Sequence, residues 1–285
     1  MTGTATRAEA RTEARTETRA VTRGETRGVP RLWAELRAPE FGELGPETIA
    51  ILPVGSAEQH GPHLPLNTDF VVADSLARDV AAGHGDELSL LLLPSLAVSK
   101  SNEHAWSPGT LWLSAPTLLA VLDELARCVA TTRVRKLVFL NGHGGNSALL
   151  QVAGRDIRLA HGLATFVMHP SLPPDHGGTS PAAELGMGIH AGLEETSVML
   201  YLRPDLVRPE LGRRSVPEHL AAFERVGFGK EVSFGWLSDD FGTDGTLGDP
   251  TGATAELGKR QYEAMVAAAA RSLAEIAAFD PRPPR

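Results

Sequence analysis

The chain has 285 residues, 42% hydrophobic and 22% charged, a balance suited to a globular protein with one large core. Its formal net charge of −8 argues against a broad phosphate-binding face, so nucleic acid is not an expected partner. No apolar run reaches the roughly 18 residues of a membrane span, and the longest, over residues 88–98, is broken by Pro94. The single Cys128 excludes an internal disulfide; within LARCVAT it reads as a small buried hydrophobe. The N-terminus shows no charged region followed by an apolar one, so the expected location is cytoplasmic.

From Arg7 to Arg27 arginine recurs every fourth residue among Thr, Glu, Ala and Gly. Such a stretch cannot bury enough apolar surface to offset its ordering entropy, which predicts a disordered tail over residues 1–29. Residues 30–280 are expected to form one domain. There, nearly continuous apolar runs predict strands covered on both faces: IAILPV (49–54), LSLLLLP (88–94), KLVFLN (136–141) and LATFVM (163–168). Apolar residues at three- and four-residue intervals predict helices over 68–82, 115–131, 147–161 and 253–277, with Asn146 or Ser147 capping the third. VMLYL (198–202) reads as a buried helix or strand. Alternating strands and helices predict an α/β fold. The Pro-, Gly- and Ser-rich tract 170–183 and the Gly- and Asp-rich tract 228–254 read as loops long enough to roof a site or meet another subunit.

Three segments carry chemistry, and the first two begin where a strand ends, the position at which open α/β sheets hold ligands. GSAEQHGPHLPLNTD offers Glu58, His60, His63 and Asp69, a carboxylate and imidazole mixture suited to zinc or manganese. Asp69 could equally cap the following helix. NGHGGNS places His143 among glycines that admit close backbone approach to a ligand; it lacks the lysine and spacing of a P-loop. HAGLEETS brings His190, Glu194 and Glu195, where a carboxylate could complete a metal site or simply favour a helix N-terminus.

Taken in order, these segments resemble the hallmark segments of the creatininase family of amidohydrolases over about residues 49–206, and EHAWSPGT (103–110) and GDPTGATAELG (248–258) resemble two further family segments. The resemblance implies a three-layer α/β/α sandwich around a mostly parallel sheet, assembled into a homo-oligomer, usually a hexamer. It also implies two divalent ions, Zn2+ or Mn2+ with Fe2+ as a further option. Glu58 and His143 would bind one ion and His60 the other, with Asp69 bridging. Creatininase supplies the second ion with a glutamate where this chain has Gly145. Glu195 is the replacement candidate; His63 or a single-metal site would also satisfy the sequence. Gly186 and Ile189 stand where creatininase has tryptophan and glutamate, so a creatinine pocket is not implied.

The expected reaction is hydrolysis of a C–N bond in a small cyclic or terminal amide by water or hydroxide held at the metal site. His190 is the candidate for protonating the leaving nitrogen. The backbone at Gly144 could face an oxyanion, and His104 and Trp106 could line the substrate entrance. Two alternatives stand beside it: a C–C hydrolase acting on a cyclic ketone with the same ions and bound water but a different pocket, and an inactive scaffold that binds a small molecule, which would have no need to retain Glu58, His60, Asp69, His143 and His190 together.

Overall fold

The computed structural model describes residues 28–170 and 182–281. The arginine-repeat expectation, most of the 170–183 loop and His176 lie outside the described residues.

Four strands form one parallel sheet: β1 (Ile49–Val54), β2 (Leu90–Leu92), β3 (Lys136–Asn141) and β4 (Ala164–Met168), in the order β2-β1-β3-β4. Five helices accompany them: α1 (Thr68–His84), α2 (Ala115–Ala130), α3 (Ser147–His161), α4 (Leu193–Leu202) and α5 (Ala255–Ala278). Strand alternation divides the apolar runs between two cores. Ile49, Ile51, Leu90, Leu92, Val138 and Leu140 pack with residues of α1, α4 and α5. Ala50, Leu52, Val54, Leu91, Leu137 and Phe139 pack with α2 and α3 on the opposite face. Burial on both faces is why the strands read as unbroken apolar runs, and the expected α/β fold with a parallel sheet is observed.

β1 continues toward one sheet edge, where β2 lies, and β3 toward the other, where β4 lies. The crevice beyond the carboxyl ends of β1 and β3 is therefore the point where strand order reverses. The loops entering this crevice carry Glu58 and His60 after β1, and His143 after β3.

Two local expectations are corrected. Cys128 is exposed, not buried: the stripe Leu118, Leu122, Ala126 and Val129 turns toward the sheet, leaving residue 128 on the outer face of α2. Asn146 stands at the N-cap of α3 without capping it; its side chain instead bonds the Lys100 N–H, Ser99 Oγ and Asn141 Oδ1. VMLYL forms the end of helix α4. Among the described residues, no helix is long and apolar enough to cross a membrane.

Candidate metal centre

Glu58, His60, Asp69 and His143 converge in the crevice, each at most 5% exposed. Asp69 lies in the first turn of α1, close against the β3 loop. Gly142 permits that approach, since a Cβ there would come 2.6 Å from the Asp69 carbonyl oxygen and 2.9 Å from Ala73 Cβ. His60 Nε2 is 3.1 Å from Asp69 Oδ1. His143 Nδ1 is 3.1 Å from both Asp69 Oδ2 and Glu58 Oε1. Those two oxygens are buried without a hydrogen bond of good geometry. His143 Nδ1 is shared between the two and His104 Nε2 lies 3.3 Å from Glu58 Oε1, so these two buried carboxylate oxygens meet only imidazole nitrogens and their environment calls for positive charge.

Around this centre a further set of groups fixes orientation. Ser101 Oγ donates to Glu58 Oε2. His143 Nε2 is 2.9 Å from the Lys100 carbonyl oxygen and 3.2 Å from Glu103 Oε1. His190 Nε2 is 2.7 Å from the Gln59 carbonyl oxygen, and its ring lies between those of His60 and His104, at centroid distances of 4.2 and 4.3 Å. The 228–254 loop holds this arrangement from above. Leu247 bridges His190, the Gly245 carbonyl accepts from the Gln59 amide, and Ser238 Oγ lies 2.9 Å from His104 Nδ1.

Electrostatics at the centre are dominated by burial and by opposed charges. Burial resists protonation of His60, but Asp69, followed by Glu195 and Glu58, raises its pKa to about 10. His143 is likewise raised, by Glu58, Asp69 and Glu103 against the effect of burial. Although burial opposes its charge, Asp69 is held far below the usual carboxylate range by His60 and His143. Burial pushes Glu195 up to about 7, with Asp69 and Glu58 adding to the effect and His60 opposing it. Burial, with the facing His60 and His104, pushes His190 well below its ordinary value.

Ligand atoms of Glu58, His60 and Asp69 lie within 4.8 Å of one another, as do those of His60, His190 and Glu195, and those of Glu58, His104 and His190. Carboxylate oxygen with imidazole nitrogen is the donor mixture of zinc and manganese sites, and the unpartnered Glu58 and Asp69 oxygens fit such ions. Protonated imidazoles and divalent ions are alternative counter-charges for these carboxylates. A cavity of about 250 Å³ opens beside the centre, lined by Asp69, Gly144, Ile189, His190, Glu194 and Glu195 among others.

The sequence profile described as "Creatininase: Creatinine amidohydrolase" matches residues 34–273. The chain belongs to the creatininase family of hydrolases. It is 36% identical over 256 residues to the mycofactocin precursor peptide peptidase of Mycobacterium tuberculosis (strain ATCC 25618 / H37Rv), covering 81% of this chain and 90% of that protein. Two solved creatininase structures share the fold. One, a Mn form, has 26% identity and a TM-score of 0.66, covering 87% of this chain and 98% of the other. The second, a mutant of Zn–Zn type, has 25% identity and a TM-score of 0.64, covering 86% and 97%.

Within this creatininase-family crevice the structure brings Glu58, His60, Asp69, His143, His190 and Glu195 together. His63 is turned aside: its Nε2 is 3.0 Å from Thr196 Oγ1, tying the β1 loop to α4. Gly144 forms part of the cavity wall. His104 is buried beside Glu58 rather than at an entrance, and Trp106 is surface-exposed with its indole N–H on Ser238 Oγ. Sequence reasoning missed Gln59, Ser101 and Glu103. Each lies one to three residues from a histidine singled out for chemistry, and that proximity was the available signal.

Proposed function

We propose that this chain is a binuclear metal amidohydrolase that cleaves the C–N bond of a terminal or cyclic amide, in a small substrate or at the end of a peptide. Glu58 and His143 would hold one ion, His60 and Glu195 the other, with Asp69 shared by both. The observation that carries the reading is the buried pair Glu58 Oε1 and Asp69 Oδ2, both facing His143 Nδ1 at 3.1 Å. Bound ions would supply an activated water and a Lewis acid for the scissile carbonyl.

The chain's own groups do the rest. His190 takes a proton from the attacking water at Nδ1 and delivers it to the leaving nitrogen, its ring held by the Gln59 carbonyl. The main-chain N–H of Gly144, on the cavity wall, donates to the developing oxyanion, a contribution of roughly 3 kcal/mol for one donor. Val72, Ile189, Val198 and Met265 give the cavity an apolar side, and its size suits a small molecule or the end of a chain better than a folded partner. The relative named as a precursor peptide peptidase supports an amide bond of a peptide within this range. Assembly into a hexamer, as the resemblance implies, belongs to the same reading. The exposed Leu66, Leu111 and Trp112 offer apolar surface for such contacts.

The test is product analysis by mass spectrometry on a panel of cyclic amides, terminal amides and short peptides, with Zn- or Mn-loaded and chelator-stripped protein. A new carboxylate and a new amine, lost on stripping, is the expected result. Turnover indifferent to stripping, or cleavage of a cyclic ketone instead, would overturn the reading.

A further inference from the structure

The two ring nitrogens of His143 face different surroundings. Nδ1 points to Glu58 and Asp69, and Nε2 points away, to the Lys100 carbonyl at 2.9 Å and Glu103 Oε1 at 3.2 Å. The Glu103 carboxylate is buried, and its second oxygen pairs with Lys100 Nζ at 2.7 Å. Its position is defined by an absence 42 residues along the chain. A Cβ built on Gly145 would lie 1.7 Å from Glu103 Oε1 and 2.4 Å from His143 Nε2. Any residue other than glycine at 145 therefore excludes the Glu103–His143 contact as it stands.

We infer that Glu103 is the positioning residue for His143, and that residue 145 is glycine because Glu103 occupies the space of its side chain. Both neighbours of Nε2 are acceptors, so this nitrogen keeps its hydrogen when the ring gives one up, and in the neutral ring that a bound cation requires the lone pair is on Nδ1, toward Glu58 and Asp69. A carboxylate behind a histidine ligand fixes its tautomer and raises its basicity. The family glutamate missing at Gly145 is thus answered in space by a carboxylate from another segment, on the outer side of His143 and not as a metal ligand.

The inference rests on the proposed ion at Glu58, Asp69 and His143, and its test reads metal affinity. Full-length protein is stripped of metal and titrated with Zn2+ against a chromophoric chelator. Glu103→Gln, which keeps the volume and removes the charge, should weaken Zn2+ binding about 10- to 100-fold while leaving the melting temperature of the stripped protein nearly unchanged. Gly145→Ala should weaken binding to a similar extent. The double variant Glu103→Ala, Gly145→Ala should lose no more than Glu103→Ala alone, because the two changes disrupt one contact. Wild-type affinity in Glu103→Gln, or losses that add in the double variant, would overturn the assignment. Failure of the wild-type protein to bind Zn2+ would overturn the underlying metal site as well.

Discussion

His190 donates through Nε2 to the main-chain oxygen of Gln59 at 2.7 Å. A carbonyl oxygen can only accept, and this contact is shorter than the 3.1 Å between the same ring nitrogen and the Gln59 side-chain amide, so in the neutral ring the hydrogen is on Nε2 and Nδ1 is bare, 3.8 Å from Glu58 Oε1. This tautomer suits a group that first receives a proton at Nδ1, and burial with two neighbouring imidazoles favours the neutral starting form.

Replacing His190 by Ala should lower kcat by about 100-fold or more, the usual contribution of a positioned acid–base group, with metal content retained. Steady-state kinetics paired with elemental analysis check this. Full turnover would remove His190 from the reaction, and loss of an ion would make it a ligand instead.

Metal binding should be proton-linked. In the folded chain His60 is raised to about 10 from an ordinary 6.5, chiefly by Asp69 working against burial. Its contribution to the stability of the stripped protein is therefore fully present below pH 6.5 and is lost as pH rises through about 10. Because a cation must displace that proton, Zn2+ affinity should increase between about pH 6 and 8, with protons released on binding. Calorimetry in buffers of different ionisation enthalpy measures the release; affinity independent of pH would contradict the linkage.

Gly142→Ala should destabilise the protein by about 1–3 kcal/mol, because the new Cβ meets the Asp69 carbonyl oxygen and Ala73 where α1 abuts the β3 loop. Asp69 would shift with the helix, so metal content should fall with the melting temperature. A variant with unchanged stability and metal content would show that this close approach is not needed.

The strands were legible because packing on both faces favours continuous apolar runs, although β4 is only half-buried and begins one residue after its run, and β2 is much shorter than its own. Ser89, in a left-handed conformation, and Pro94 bound the apolar stretch that can pair with β1. α4 was ambiguous because it packs against both α1 and α5, which hides helical periodicity. Cys128 was misplaced because an apolar local sequence does not specify which side of α2 faces the sheet. Glu58, His60, Asp69 and His143 could be read from local segments. The Glu103–Gly145 relationship could not, since only folding brings the two together.

The central claim is the binuclear site, and the most direct measurement is metal content per chain for wild type and Glu195→Ala. The account predicts about two divalent ions in the wild type and one in the variant. A wild-type protein holding no divalent ion, or a variant that keeps both, would contradict it.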